Sequence, residues 1–553
     1  MSLVDRRIGL LFAGFLLLLS MAFGRALYLG TIKGGNLARA ANVQQTATEV
    51  VPPRRGSLLD RRGIELAVSE PASDVSVTPY LVKDPADAAA RLAPLLGRPA
   101  AELTTAITRR DTGFVYLERE LPADRAEKVR ALRIDGVALA PSEHRQYPRK
   151  WLAAQVLGVV GTDGEGLSGI ELERDRQLTG AAGLRRSVRD ARGDDLEVRD
   201  LEAARPGKDL TLTLDAQIQD RVEAVLHDLG AKHSPKGASA VVLDPRTNEV
   251  LAMANWPQVD ANAPGSAPAT AQRNLATNFT YEPGSTFKAF TIAGALQDGT
   301  VTPDQQFGLA PTIQVADRVI GESHDRGSVT LTTKQILAQS SNVGAVTIGL
   351  KVGARRFDAW TRRFGFGKPT GVDLPGEERG LSLAVDKYSG STMGNLPIGQ
   401  GQLVTQMQIS TAYAALANGG ILRPARVIKA VDGVPVATPK GHRVISERTA
   451  RDVRRMLEGV LAPGGTAQEV TIPGYSLAGK TGTAEKFDTK LGEYSKAKYV
   501  ASFVGFAPAK DPRLLISVMV DEPKGQIYGG QVAAPAFGKI ARFALPYMKI
   551  APR

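Results

Sequence analysis

The sequence predicts a multidomain α+β protein with a single membrane-spanning helix at its N-terminus. A chain of 553 residues exceeds what one hydrophobic core usually organises, so several folded units are expected. The segment Ile8–Leu29 is apolar apart from Arg25 and long enough to cross a bilayer. Beyond it, stretches of helical period and stretches of strand period occur side by side, which is typical of a mixed α and β chain.

The residues around the apolar segment predict its orientation. Arg6 and Arg7 precede it on a very short tail, so residues 1–7 are expected in the cytoplasm and the rest of the chain outside, as in a type II membrane protein. A cleaved signal peptide stays open as the alternative, because Ser20 and Ala22 are spaced as in a cleavage site. Both readings place the bulk of the chain outside the cytoplasm.

Composition excludes several classes of function. There is no cysteine, so disulfides, thiolate metal sites and a thiol nucleophile are absent. The five histidines show no metal-ligand spacing, and no metal is expected. A formal net charge of +12 favours anionic partners such as membrane lipid, but no motif for binding nucleic acid accompanies it.

Hydrophobic periodicity places the main elements. The charged stretch Arg189–Lys208 carries little apolar material and predicts a boundary between a region 30–208 and a region 209–553. The predicted helices are Ala86–Leu96 and Ala123–Leu132, and the predicted strands include Ala238–Leu243, Val250–Ala254, Tyr499–Phe506 and Leu514–Val520.

The segment around Ser285 suggests a nucleophile. Pro283-Gly284 is a strong turn signal before an apolar run, so Ser285 is expected to open a helix with Lys288 on the same face. A neutral lysine there could take the serine proton, and the helix N-terminus could stabilise an oxyanion. A simple N-cap serine is the plainer alternative. Ser495 also precedes a lysine by three residues, but in a charged, loop-like stretch that would not desolvate it.

Two further motifs turn this serine into a candidate site. Ser340-Ser341-Asn342 is expected to end a helix that begins at Thr332, and Lys480-Thr481-Gly482-Thr483 lies in a predicted strand. Burial beside the cation of Lys480 would lower the pKa of Lys288, Ser340 could relay a proton, and Asn342 could hold a substrate amide. The hydroxyls of Thr481 and Thr483 could bind a carboxylate. Residues 474–481 also fit a phosphate-loop pattern, but a strand precedes Lys480 and a polar loop follows, which excludes nucleotide binding.

These motifs, in this order, resemble the active-site set of the class B penicillin-binding proteins. Tyr281–Gly284 and Gly399–Gly401 are similar to further segments of that family, and Arg55–Gly63, Arg145–Pro148 and Gly166–Glu171 resemble its pedestal motifs. The resemblance implies an elongated, mixed α/β, non-catalytic pedestal over 30–208. It also implies a transpeptidase domain over 209–553, built as an antiparallel sheet flanked by helices.

The resemblance implies a peptidoglycan D,D-transpeptidase without a cofactor, which is also the target of β-lactams. Its nucleophile would attack the D-Ala-D-Ala terminus of a stem peptide, release D-Ala and form an acyl-enzyme. The implied catalytic residues are Ser285, Lys288, Ser340 and Asn342; the substrate-binding residues are Lys480, Thr481, Gly482 and Thr483; the oxyanion hole is formed by the backbone amides of Ser285 and Thr483.

Tyr528–Pro535 resembles a signature of the division-associated, FtsI-like branch, which implies septal wall synthesis. That role implies the bacterial inner membrane, a periplasmic catalytic domain, and a membrane glycan polymerase and division proteins as partners. Elongation-type and sporulation-type members are the alternatives within the family. A serine β-lactamase and a scaffold that mainly activates a glycan polymerase are the alternatives outside it.

Overall fold

The computed structural model describes residues 3–33, 46–189, 195–488 and 492–552. The N-terminal helix Leu3–Leu27 continues into a π-helical turn, Tyr28–Ile32. The stretch Arg6–Ile32 is long and apolar enough to cross a membrane, and none of its most apolar window is buried against the rest of the chain. This helix fits a single-pass membrane anchor. With the elements below, it confirms the predicted α+β multidomain fold.

The region 30–208 combines strands of two sheets with small helices. The helix predicted over Ala86–Leu96 begins at Pro85, where the Asp84 carboxylate accepts the amide protons of Ala86 and Asp87, and it ends before Gly97 in a left-handed conformation. The helices are Pro85–Leu96, Ala100–Ile107, Ala123–Ala131, Ala154–Leu157, Gly169–Glu173 and Asp175–Thr179. The strands are Thr46–Val51, Leu58–Leu59, Glu65–Val77, Val115–Pro122, Val137–Gln146, Gly183–Arg189 and Asp195–Glu202.

The charged stretch Arg189–Lys208 contains a strand that the sequence analysis does not predict. Asp195–Glu202 pairs antiparallel with Gly183–Arg189, which in turn pairs with Thr46–Val51. Leu196 and Val198 alternate with charged residues, but the side chains described on this strand are exposed, so no buried face extends this short pattern. Its neighbours supply backbone hydrogen bonds and an ion pair between Arg185 and Asp200 at 2.7 Å.

A seven-stranded sheet crosses the predicted boundary at residue 209. The strand Leu210–Leu212 pairs in parallel with Leu58–Leu59 and antiparallel with Ile428–Val431. Leu58 and Leu210 are fully buried, and the Asp60 carboxylate accepts the amide proton of Ala216 at 3.1 Å. The strand order is Val434–Pro435, Ile428–Val431, Leu210–Leu212, Leu58–Leu59, Glu65–Val77 and Val115–Pro122, with Val137–Gln146 also paired to Glu65–Val77.

A five-stranded antiparallel sheet organises the region 209–553, and it contains all four strands predicted there. Helices Ala216–His233 and Gly529–Tyr547 pack on one face, while Lys288–Gln297 and Gln406–Ala417 belong to the core on the other. The strand order is Glu249–Trp256, Gly237–Asp244, Leu514–Asp521, Glu493–Ala507 and Ala478–Asp488. The strand that carries Lys480 is therefore at an edge of this sheet.

The remaining elements contain at most 12 residues each. The helices are Leu275–Asn278, Thr333–Ala338, Asn342–Val352, Ala354–Arg363, Thr392–Asn395 and Glu447–Glu458. The short strands are Thr280–Tyr281, Gln306–Leu309, Thr312–Val315, Arg318–Gly321, Val329–Thr332, Val404–Thr405, Ile421–Leu422 and His442–Arg443. The 3-10 turns are Pro79–Leu81, Pro264–Ser266, Gly284–Phe287, Val385–Lys387 and Leu396–Ile398.

Candidate active site

Ser285 lies in the 3-10 turn Gly284–Phe287, which runs directly into the helix Lys288–Gln297. The α-helix thus begins three residues after the serine rather than at it. The first amides of such a helical start have no intrahelical partner and point out of its N-terminal end. Ser285 is half-buried there, at the wall of a cleft.

Close backbone contacts fix the serine turn. Gly284 has φ +53°, and its amide donates to the carbonyl oxygen of Gly399 at 3.0 Å. A Cβ on Gly399 would lie 2.1 Å from the carbonyl oxygen of Gly284, so only glycine fits at Gly399. The hydroxyl of Tyr413, which is fully buried, donates to the carbonyl oxygen of Thr286 at 2.7 Å. The Gly399–Gly401 segment therefore supports the turn.

Lys288 is fully buried, and its ammonium is held by the Ser340-Asn342 segment. Nζ donates to the carbonyl oxygen of Ser340 and to Oδ1 of Asn342, both at 2.6 Å, and lies 3.3 Å from Oγ of Ser340. Burial lowers the pKa of Lys288 to about 7, against the opposing effect of the Glu322 carboxylate. A neutral amine has two N–H donors, which the two carbonyl oxygens satisfy, and a lone pair that remains free to accept a proton.

Lys480 is fully buried on the opposite side of Ser340. Its Nζ lies 2.9 Å from Oγ of Ser340 and donates to the carbonyl oxygen of Thr481 at 3.1 Å. Burial lowers the pKa of Lys480 well below its usual value, and repulsion from Lys288 adds to the effect. The sequence analysis names Lys480 as the cation that acts on Lys288; in the structure burial is the main cause for both. Because the two amines share one hydroxyl, a proton on either disfavours a proton on the other.

The Ser340-Ser341-Asn342 motif connects two helices, which corrects the prediction that it ends one. The first helix ends at Ala338, and Asn342 begins the next, Asn342–Val352. Ser341 is the N-cap of that second helix, since its Oγ accepts the amide proton of Gly344 at 3.0 Å. Ser340 lies between them with φ +61°, a strained conformation for a residue with a side chain. This turn aims both the carbonyl and the hydroxyl of Ser340 at Lys288.

Glu322 is a buried carboxylate that the sequence analysis misses. It accepts the Ser341 hydroxyl proton and the Asn342 amide proton, each at 2.7 Å, and it forms an ion pair with Arg326. Burial alone would raise the pKa of Glu322, but Arg326 and these hydrogen bonds outweigh it and lower the pKa. Glu322 follows the strand Arg318–Gly321 in a segment without periodicity or motif, so nothing in the sequence separates it from other loop carboxylates.

The strand Ala478–Asp488 forms one wall of the site. Oγ1 of Thr481 lies 2.7 Å from Oγ1 of Thr466, and Oγ1 of Thr483 accepts the amide proton of Gly529 at 3.0 Å. A Cβ on Gly482 would lie 2.3 Å from Oγ of Ser502, so a larger residue would push the strand away from its neighbour. Both threonine hydroxyls keep hydrogen-bonding capacity toward the cleft.

A cleft of about 660 Å³ brings the predicted residues together. It is lined by Ser285, Ser340, Asn342, Thr481 and Thr483. Lys288 and Lys480 lie beneath its floor, bonded to the lining residue Ser340. At the rim, the rings of His324 and Tyr528 stack with centroids 5.4 Å apart. Seven of the eight predicted residues therefore belong to this cleft or the layer directly below it, and Gly482 lies between Thr481 and Thr483 in the strand that forms its wall.

The competing serine lies elsewhere. Oγ of Ser495 accepts the amide protons of Ala497 and Lys498, each at 3.2 Å, and the Lys498 side chain is about half exposed. Nothing near Lys498 resembles the buried environment of Lys288.

Comparison with known proteins agrees with this geometry. Residues 238–542 match the penicillin binding protein transpeptidase domain, and residues 50–212 match the penicillin-binding protein dimerisation domain. The chain belongs to the class B penicillin-binding proteins. Peptidoglycan D,D-transpeptidase FtsI of Escherichia coli is 33% identical over 100% of this chain and 93% of its own length. Stage V sporulation protein D of Bacillus subtilis is 34% identical over 95% of this chain and 83% of its own length.

A solved structure of the family has the same fold. Penicillin binding protein 3 from Mycobacterium tuberculosis, complexed with aztreonam, superimposes with a TM-score of 0.72 at 32% identity, covering 91% of this chain and 98% of that chain. Membership and fold are thus shown for both the N-terminal and the C-terminal parts of this class B penicillin-binding protein.

Proposed function

We propose that this class B penicillin-binding protein is a serine-type peptidoglycan D,D-transpeptidase that acts through Ser285. The observation that carries the proposal is the pair of buried amines, Lys288 and Lys480, that meet at Oγ of Ser340 directly below the cleft. A hydrolase or transferase with a serine nucleophile needs a neutral base at pH 7, and Lys288 with a pKa of about 7 meets this need. The name of the Escherichia coli relative supports the choice of reaction.

In the acylation step, Lys288 would take the hydroxyl proton of Ser285, and Oγ would attack the carbonyl carbon of the penultimate D-Ala. The amides of Ser285 and Thr483 would stabilise the resulting oxyanion. Collapse would break the C–N bond and release D-Ala, whose amine would receive the proton through Ser340. The product is an ester between Ser285 and the stem peptide.

Binding of the substrate carboxylate would prepare the base. Lys480, Thr481 and Thr483, with the close-packed Gly482 between them, would hold the terminal carboxylate at the edge strand. A carboxylate near Lys480 favours a proton on that amine. Since the two amines share Ser340, a charged Lys480 would disfavour a proton on Lys288, so the base would become neutral when the substrate is in place.

An acceptor amine from a second stem peptide would then attack the ester, form the cross-link and return the proton to the serine. Asn342 would position the substrate amide and Lys288. A β-lactam would acylate the same serine, and its ring-opened ester would block the site. Glu322, a carboxylate of the cleft lining, is engaged by hydrogen bonds and by Arg326, which makes it a poor base for deacylation and favours a long-lived acyl-enzyme over β-lactamase turnover.

The proposed layout follows the predicted bounds. Residues 1–7 would be cytoplasmic, 8–29 would form the anchor of a single-pass type II inner-membrane protein, and 30–208 would form the pedestal. Residues 209–553 would form the periplasmic transpeptidase domain. The apolar, unburied helix supports the anchor, and the arginines before it support the orientation.

Septal wall synthesis is the proposed cellular role, with a membrane glycan polymerase and division proteins as partners. The FtsI relative supports it, whereas the sporulation relative at 34% identity supports the sporulation alternative. Depletion in growing cells is expected to give filaments with unclosed division sites. Rounded cells would favour the elongation type, and a defect confined to spores the sporulation type. Normal division with Ser285→Ala protein would favour the scaffold alternative.

Mass spectrometry of the intact protein after exposure to penicillin tests the chemistry. One adduct of the penicillin mass is expected on Ser285, stable for hours, and Ser285→Ala protein should show none. Ser495→Ala is the matched control and should label as the wild type does. An adduct that persists in Ser285→Ala protein would contradict the site, and rapid turnover of penicillin would favour the β-lactamase alternative.

A further inference from the structure

A second cavity, apart from the active-site cleft, has five cationic side chains in its lining. Its volume is about 480 Å³. The C-terminal end of the helix Gln406–Ala417, the helix Glu447–Glu458 and two turns between strands of the five-stranded sheet, 245–248 and 508–513, enclose it. It shares no lining residue with the cleft that contains Ser285. The cationic residues of the lining are Arg246, Arg423, Arg451, Arg454 and Lys510.

The lining of this cavity carries a net positive charge. Glu447 forms an ion pair with Arg443 at 3.2 Å, and Asp511 forms one with Arg246 at 2.5 Å. The carboxylates of Asp511 and Glu458 also act electrostatically on Arg454, and that of Glu458 acts on Lys510. The five cationic side chains of the lining nevertheless outnumber its two acidic ones. Several like charges therefore face one concave space.

Two of these arginines are partly buried with incomplete hydrogen bonding. Nη1 of Arg454 donates to the carbonyl oxygen of Ala417 at 3.2 Å, and burial together with the neighbouring Arg451 lowers the pKa of Arg454. Nε of Arg423 is buried without a hydrogen-bond partner in the described structure. Holding desolvated guanidinium groups this way is costly, and an anion that accepts their protons would offset the cost.

We propose that this cavity binds a phosphate-bearing ligand. Guanidinium groups present parallel N–H donors that match the oxygens of a phosphate, and a flexible lysine at the rim adds a point charge. The excess of five cationic over two acidic side chains in the lining favours a ligand with more than one negative charge over a single carboxylate. A volume of about 480 Å³ accommodates a diphosphate or a phosphate with a small organic group. The proposal is independent of the transpeptidase reaction and of its residues.

The test measures binding to the full chain in neutral detergent by isothermal titration calorimetry. The probes are pyrophosphate, glycerol 3-phosphate and monomeric dihexanoyl phosphatidylglycerol. In the double variant Arg451→Gln/Lys510→Gln, which changes two exposed side chains of the lining, binding should weaken tenfold or more. The matched control is Arg448→Gln/Arg455→Gln. It removes two exposed arginines of the helix Glu447–Glu458, which also carries Arg451, and neither of them lines the cavity. Binding in this control should stay within twofold of the wild type.

The probes distinguish the sources of the phosphate. Tighter binding of the phosphatidylglycerol than of the free phosphates identifies a lipid headgroup, and the reverse identifies a soluble phosphate; both outcomes support the site. Equal losses in the two double variants would show a diffuse surface effect and overturn the proposal. The absence of saturable binding would also overturn the proposal. Tighter binding of an oligoglutamate peptide than of pyrophosphate would overturn it as well. Labelling with fluorescent penicillin, expected unchanged in both variants, confirms that they are folded.

Discussion

The pH dependence of acylation offers the most direct test of the proposed base. If Lys288 has a pKa of about 7, about one tenth of the enzyme carries a neutral base at pH 6 and about nine tenths at pH 8. The second-order rate constant for acylation by a fluorescent penicillin should therefore rise about tenfold between these values and level off above pH 8. A lysine with the ordinary pKa of 10.5 would instead give a rate that keeps rising about tenfold per pH unit up to pH 10.

A substitution at Glu322 predicts the direction in which the midpoint of this pH profile moves. The Glu322 carboxylate favours the charged form of Lys288, so Glu322→Gln should lower the pKa of Lys288 and move the midpoint of the profile to lower pH. Arg326, left without its carboxylate, would push the pKa in the same direction. Stopped-flow measurements from pH 5.5 to 9.5 on both proteins provide the data. A profile without a plateau, or a midpoint that moves upward in the variant, would refute Lys288 as the base.

Three further outcomes are expected. Lys288→Arg places a cation at this position that cannot act as a base, so the rate constant for acylation by the fluorescent penicillin should fall by a factor of about 10² to 10⁴. A rate near that of the wild type would remove Lys288 from the mechanism. Gly482→Ala places a methyl group 2.3 Å from Oγ of Ser502, so penicillin labelling should fall. Gly308→Ala is the control, because Gly308 also lies in a strand without a positive φ and its Cβ would meet nothing within 4 Å; equal labelling of both variants would show that the strand yields freely. A chain that begins at Asp209 loses the strand Leu58–Leu59, which covers Leu210. In urea titrations its free energy of unfolding should be lower by about 2 kcal/mol or more than that of a chain that lacks only residues 1–33. Equal stability of the two chains would contradict this packing.

The parts of the fold that the sequence predicts are those where burial leaves a local pattern. The helix Pro85–Leu96 shows a helical period, and the strands Gly237–Asp244 and Glu249–Trp256 show short continuous apolar runs; their observed bounds lie within a few residues of the predicted ones. The strand Asp195–Glu202 shows only a short alternation of apolar and charged residues, because the side chains described on it are exposed and its register comes from its neighbours. Pairing between distant strands, such as Leu58–Leu59 with Leu210–Leu212, leaves no local signal at all.

The candidate site also contains residues that the sequence predicts and residues that it does not. Ser285, Lys288 and Lys480 belong to short motifs whose chemistry is readable, and the structure places them around one cleft. Glu322 acts through contacts with the backbone and a hydroxyl, which any carboxylate at the right point in space could make. The bend at Ser340 depends on its left-handed conformation, for which a serine gives no advance sign. Local chemistry was thus predictable, whereas the supporting geometry required the fold.

The seven-stranded sheet limits how this protein can be recombined with its relatives. Because Leu210–Leu212 hydrogen-bonds to Leu58–Leu59, an exchange of the N-terminal region at residue 209 would pair a strand from one parent with a strand from another. The Asp60 carboxylate, which accepts the Ala216 amide, would also have to find its partner in foreign sequence. Natural mosaics and designed chimaeras that keep both strands from one parent are therefore favoured over those divided at the apparent boundary, so the two regions would be inherited as one block.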